Sequence, residues 1–306
     1  MRFSLVFAHD LAADALDRIA PLARIASYGR VDVAGDGDAA VAQLLGIAAP
    51  GTAPLAALGA GFDARGAYVL RADPVAFVAG RDDVMLTGRV DDLGAGEAGA
   101  LVDMLNRHFA DDGVSFHAPR ANAWFVAARD GVPVETDALH PNEPIGPHLP
   151  RGAHGATWRR WLSEMQMLLH EHPVNVAREA AGRAPVTGIW VSGGGTLPDK
   201  VTAPGIAIHA APSRVGDVAA GVARAAGLAV NAVPAGFGAV PRAGDAMVVL
   251  PDASDVDTIS RDWLSPSLVA LERGDIDLLT VLATNGRARR YQSARPSWWR
   301  RMRART

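Results

Sequence analysis

From residue 157 to residue 283 the chain alternates between helix-patterned stretches and short apolar runs, and this alternation narrows the fold more than any other feature. Helices are expected at 157–171, 175–181, 214–226 and 257–273, and strands at 186–192, 205–210, 228–233, 246–250 and 276–283. Strands separated by helices pair in parallel, because a hairpin cannot join them, and the helices must then cover the sheet. The expected class is α/β, a mostly parallel sheet with helices on both faces.

The amino-terminal half has another texture. Residues 3–8 read as a first strand and 11–26 as an amphipathic stretch, while 32–66 are rich in Gly, Asp and Ala and hold a short helix at 39–45. Strands at 67–70, 84–86, 114–117 and 124–128 surround a helix at 97–109. Its Leu101, Met104, Leu105 and Phe109 share one face at about 100° per residue. Five prolines between 133 and 150 mark a linker. The resulting division is a core of 1–66 and 150–292, a smaller α+β subdomain with its linker at 67–149, and an Arg/Trp-rich tail at 293–306.

A hydrophobic fraction of 49% over 306 residues supports a sizeable core. With no cysteine, disulfides, thiolate metal sites and thiol catalysis are excluded. The first apolar run is too short for a signal peptide, and no later one reaches about 18 residues, so a soluble cytoplasmic protein is expected. Residues 287–306 hold eight arginines and no acid, leaving −11 on the other 286 residues against −3 for the whole chain. Lys200 is the single lysine, so a bias toward Ala and Arg explains this basic end without function. The functional alternative is a tail with Trp298 and Trp299 that meets nucleic acid or an anionic membrane.

Residues 150–198 concentrate the polar candidates. On the helix at 157–171, Trp158, Trp161, Leu162, Met165, Leu168 and Leu169 fall on one stripe, which reads as core packing. His170 and His172 point about 200° apart on a helix, so they cannot share a metal there. His172, ahead of Pro173, is better placed as a ligand-facing or helix-terminal residue. Asn175 stands where an N-cap is wanted and Gly182 where the C′ residue falls. Arg178 could hold a phosphate bidentately or pair with a carboxylate. Ser192, Gly193, Gly194 and Gly195 follow the apolar run Ile189, Trp190, Val191, a place where backbone N–H groups can cradle an anion or simply turn the chain.

The runs ETDALHPNEPIGPHLP and WRRWLSEMQMLLHEHPVN, with the ARE at 177–179 and the Gly-Gly-Gly-x-Leu-Pro run, resemble the proteobacterial "regulatory protein RpfE" family. That family is similar to archaeal-type cofactor-independent phosphoglycerate mutases of the alkaline phosphatase superfamily. Residues 38–46 with 54–61 resemble the mutase stretch around its nucleophile, and 205–236 resemble a mutase strand, helix and turn. The resemblance implies an alkaline-phosphatase-like sheet.

Such mutases use a Ser nucleophile and two divalent metals held by Asp and His. Here Gly37 falls at the Ser position, Asn285 and Gly286 at an Asp-His pair, and residues 251–257 contain no His. Asp10 corresponds to the first metal Asp. The resemblance thus implies no catalytic residue, metal or cofactor. It implies a surviving substrate side in Arg71 and in the Asn175 and Arg178 of an N-x-x-R match. With Asp73, His172, Gly193, Gly194 and Gly195 these are the candidate anion-binding residues, and Arg71, Asn175, Arg178 and the Gly193–Gly195 loop are expected to converge on one pocket at the carboxyl ends of the sheet. The first reading is a catalytically disabled, ligand-binding or regulatory protein whose partner is a phosphorylated small molecule or another protein. The alternatives are an active metal-dependent mutase or phosphatase-like enzyme, and a regulator acting through its Arg-rich tail.

Overall fold

The structure, a computed structural model, describes residues 1–7, 30–32, 36–47, 51–80, 83–129, 131–202, 205–252, 254–282 and 287–292. The chain divides into two compact units, residues 1–48 with 200–306, and residues 49–199. Asp10, the pair Asn285 and Gly286, and the 293–306 tail lie outside the described residues.

The first unit is built on a seven-stranded sheet. Its order is β2 (Arg30–Asp32), β12 (Arg287–Gln292), β11 (Leu278–Leu282), β1 (Arg2–Val6), β10 (Asp245–Val249), β8 (Ile206–Ala210) and β9 (Val230–Asn231). β1 pairs in parallel with β10 and β11, β10 with β8, and β8 with β9. Only the β12 pairings, with β11 and β2, are antiparallel. The centre is thus the mostly parallel sheet of an α/β fold. β1 is central because Phe3, Leu5, Val6 and the following Phe7 are all buried, an apolar run suited to a strand covered on both faces.

Strand alternation sends Phe3, Leu5, Ala246, Val248, Leu279 and Val281 to one face. They pack against Ile259, Trp263, Leu264, Ala270 and Leu271. These come from a helical run that begins as α7 (Val256–Thr258), is π-wound over Ile259–Leu264 and ends as α8 (Ser265–Arg273). Helix α6 (Arg214–Ala225) lies against β8, β10 and α1 (Gly37–Leu44). Ser213 caps α6 by accepting from Gly216 N at 3.1 Å. β12 was not expected: its RARRYQ sequence offers little alternation, although Tyr291 is buried.

The second unit carries a separate, antiparallel sheet. β3 (Tyr68–Ala79) pairs with β4 (Val84–Arg89), β6 (Ala123–Ala128) and β7 (Gly188–Gly195), and β5 (Val114–Arg120) pairs with β6. One face, with Leu70, Ala72, Phe116, Trp124, Val126, Ile189 and Val191, is covered by α3 (Ala95–His108) and α4 (Gly155–His170). The expected stripe on α4 is the buried one: Trp158, Trp161, Met165 and Leu169 are buried, with Leu162 and Leu168 packed at the margin.

Three differences from the sequence reading concern this unit. The strand expected at 186–192 as part of the parallel sheet is β7, the antiparallel neighbour of β3. The division therefore falls at 48/49 and 199/200, where the sequence reading placed it at 66/67 and 149/150. β3 runs twelve residues, past the expected end at 70, through Arg71, Asp73 and Pro74. Pro74 lacks an N–H but still accepts from Val90 N at 2.9 Å. Helix α2 (Ala53–Ala60), not expected, buries Ala53 through Gly59, so it has no polar face for a periodicity to reveal.

Candidate functional site

Of the expected ligand residues, the structure brings together Arg71, Asp73 and the glycine run. Arg71 is in register with Ser192, Asp73 with Trp190 and Val69 with Gly195. Two steps on β3 face three on β7, a bulge in which Gly193 takes φ +65°. Leu70 and Ala72 point into the helix-covered core, so Arg71 and Asp73 take the other face, and both are only 3% exposed. Arg71 Cζ stands 5.6 Å over the Phe125 ring, a cation–π contact.

The glycine run is committed to close packing. A Cβ on Gly51 would overlap the Gly194 carbonyl, and one on Gly194 would overlap the Tyr68 hydroxyl. Glycine is needed here so that two backbones can touch, and the run finishes a strand rather than opening a loop.

Helix α5 (Pro173–Ala180) corrects the roles expected for its residues. Its N-cap is His172, not Asn175: His172 Nδ1 accepts from Val174 N at 3.2 Å. Burial, reinforced by the charge of Arg107, holds the His172 imidazole below its ordinary pKa. Asn175 is buried and works as a clasp, donating from Nδ2 to Leu169 O and Val186 O, both at 2.7 Å, and accepting from Val186 N at 2.8 Å.

Arg178, expected as an anion clamp, is fully buried. Its Nε donates to Ala184 O at 2.8 Å, Nη1 to Glu97 Oε2 at 2.9 Å, and Nη2 to Asp92 Oδ1. The Arg178 bond holds Asp92 below the usual carboxylate range. Glu97 is held low first by the Gly94 N–H and then by Arg183 and Arg178, against burial. The guanidinium is thus spent on two carboxylates of its own chain. Among the described residues, the hydrogen bonds of Asn175 run to Leu169 and Val186, and those of Arg178 to Ala184, Glu97 and Asp92.

In the first unit, Gly37 opens α1, and its N-cap Asp36 accepts from Ala39 N at 2.9 Å. Asp38, one position on, is buried and 3.7 Å from Arg214 Nε at the head of α6. Asp255, in the stretch where the mutase resemblance calls for His, is occupied as the cap of α7, with Oδ1 accepting from Thr258 N at 2.8 Å. His209, next to last in β8, is buried; Nδ1 lies 2.8 Å from Ala232 O, and Nε2 has no hydrogen-bond partner among the described residues. At these positions Gly37 has no hydroxyl, and residues 251–257 include no histidine.

The sequence reading passed over one constellation. His140, Glu143 and His148 place ligand-type atoms within 4.8 Å of one another. The His-x-x-Glu-x-x-x-x-His spacing was its signal, hidden by the prolines that made the stretch look like a linker.

Residues 28–175 match the family model described as 2,3-bisphosphoglycerate-independent phosphoglycerate mutase. The mutase of that name from Methanosarcina mazei is 32% identical over 164 residues, covering 50% of this chain and 39% of that protein. The Methanosarcina barkeri protein is 27% identical over 172 residues, covering 46% and 43%. Over this part of its length the chain is similar to 2,3-bisphosphoglycerate-independent phosphoglycerate mutases. These alignments span only about two-fifths of the length of the curated relatives. The PH0037 protein of Pyrococcus horikoshii matches over 95% of this chain and 87% of its own, with TM-score 0.50 and 15% identity, a likeness of fold. Among the described residues, no helix is long and apolar enough to cross a membrane.

Proposed function

We propose that this chain keeps a mutase-like fold without the mutase chemistry and serves as a ligand-binding or regulatory protein of the RpfE type in the cytoplasm. The observation that carries the reading is Gly37. It heads α1, immediately after the Asp36 cap, at the position where the resemblance puts the nucleophilic Ser. Transfer through a seryl phosphate needs an oxygen that forms the new P–O bond, and glycine has none. The neighbouring groups support the same reading: Asp38 faces Arg214, and Asp255 caps a helix. The commitment of Arg178 to Asp92 and Glu97 takes away one clamp for a phosphorylated small molecule, which favours the regulatory half of the proposal.

The test is a coupled assay interconverting 2- and 3-phosphoglycerate, run on the purified full chain with added Mn²⁺ or Mg²⁺. No turnover above the uncatalysed rate is expected. Turnover in the usual enzymic range, about 1–10³ s⁻¹, would overturn the proposal in favour of an active metal-dependent enzyme.

A further inference from the structure

We propose that His140, Glu143 and His148 form a site for one divalent transition metal of the zinc class, built into the second unit. Two imidazoles and a carboxylate are a donor set suited to zinc and its neighbours. His148 Nε2 lies 3.1 Å from Glu143 Oε2, and His140 Nδ1 lies 3.9 Å from the same oxygen. Ligands about 2.0–2.2 Å from a tetrahedral ion stand roughly 3.4 Å from one another. The observed spacings bracket that value, and Glu143 and His140 are exposed enough to rotate the rest of the way. The two imidazole rings already stack at 4.3 Å.

The surroundings are those of a supported ligand. His148 meets Asp137 Oδ2 through Nδ1 at 3.1 Å, which orients the ring and leaves Nε2 for the ion. Asp137 is itself fixed by Arg151, whose Nη2 and Nη1 donate at 2.7 and 3.1 Å. The loop is pinned to β4: Leu86 N donates to Glu143 O at 3.1 Å, and Ile145 N to Val84 O at 2.9 Å. A 3₁₀ turn, Gly146–His148, then presents His148.

A second feature meets the cluster at His148. A cavity of about 310 Å³ is lined by His148, Ile145, Leu149, Phe77 and Trp190. Three protein ligands leave a coordination position open, the arrangement of zinc sites that accept water or an outside ligand. An ion here would sit at the edge of an apolar, aromatic-lined cavity.

The experiment is calorimetric titration of the untagged full chain with ZnCl₂ at pH 7.5, after dialysis against chelator, with Co²⁺ absorption as the second readout. About one Zn²⁺ per chain is expected. His148→Ala and the exposed Glu143→Gln should each weaken binding strongly and change the Co²⁺ spectrum. Asp137→Asn, beyond the ligands, should weaken it by about 10–100-fold. Absence of binding by the parent chain would overturn the proposal. So would binding unchanged in both His148→Ala and Glu143→Gln, since the ion would then sit elsewhere. If His148→Ala fails to fold, Glu143→Gln decides alone. None of these outcomes depends on phosphoglycerate turnover, so the two proposals stand or fall separately.

Discussion

Arg178 Nη1 donates to Glu97 Oε2 at 2.9 Å, joining α5 to the first turn of α3 across 81 residues of sequence. The same carboxylate accepts from Gly94 N at 2.9 Å and from Arg183 Nη2 at 2.7 Å. One glutamate therefore caps α3 and fastens the α5 end of the chain to it. A cation this enclosed orders the fold, because its burial is tolerated only with its donors paired to chain carboxylates and a carbonyl.

Replacing Arg178 should therefore act on stability. Arg178→Met removes a bond to the Ala184 carbonyl and two to carboxylates, and the Asp92 side chain is well solvated. Allowing for that screening, a loss of about 2–3 kcal/mol is expected, read as a lower urea midpoint. Arg178→Lys should recover little, because one ammonium cannot reproduce the three-way fork. An unchanged midpoint would return Arg178 to the list of ligand clamps.

The cap of α5 makes a pH prediction. Val174 N–H needs a lone pair on His172 Nδ1, and the imidazole pKa is lowered in the fold by burial and by Arg107. The unfolded chain, with an imidazole pKa of about 6.5, then takes up the proton first. The cap's contribution is complete above that value and is lost as pH falls through the lower folded value. His172→Asn keeps a capping acceptor that does not titrate. Between pH 7.5 and 5.5 the variant should lose less thermal stability than the parent. His117, held low by burial, contributes equally to both proteins. Parallel melting curves against pH would remove the His172 cap as a titrating element.

What the sequence made legible follows from where the physics is local. The α4 stripe and the apolar β1 could be read because burial leaves a periodic trace. Helix α2 is apolar all round and leaves none. β3 hid behind Arg71, Asp73 and Pro74, residue types that normally stop a strand, and these are buried here by neighbours far away in sequence. Arg178 illustrates the same limit for sites. The motif identified the right residue, but Asp92 and Glu97, which decide its role, lie more than 80 residues away. His140, Glu143 and His148 meet because the loop is pinned to β4, a contact that their spacing alone does not announce.

The glycine run gives a steric prediction. Gly51 and Gly194 approach so closely that a Cβ on Gly51 would overlap the Gly194 carbonyl carbon and oxygen. Backbone cannot swing aside as a flexible side chain can. Gly51→Ala should therefore cost about 1–3 kcal/mol, the range for overpacking. Gly46→Ala is a comparison of another kind, since it meets open space but sits at φ +77°. Its cost should come from backbone conformation, about 1 kcal/mol. Equal midpoints for the parent and Gly51→Ala would show that the two backbones are not in contact.

Asn175 distinguishes a clasp from a ligand contact by the sign of one atom. Its Nδ2 donates to the Leu169 and Val186 carbonyls, while Oδ1 accepts from Val186 N, all in a buried setting. Asn175→Ala takes the partner from Val186 N and Val186 O, while Leu169 O keeps the His172 N–H at 3.2 Å, at a cost of about 1–3 kcal/mol for each buried group that water cannot reach. Asn175→Asp keeps the shape and the acceptor but turns the donor into an oxygen aimed at two carbonyl oxygens. At neutral pH it also buries a charge. The aspartate variant should therefore be less stable than the alanine variant, although it is closer to asparagine in size. Below the carboxyl pKa the acid regains one donor, so the order should narrow or reverse as pH falls toward 4. Chemical denaturation of both variants at pH 7.5 and pH 4 measures this directly. If aspartate is tolerated as well as asparagine at pH 7.5, the amide does not bridge α5 to the strand entry, and Asn175 must be sought in contact with solvent or ligand.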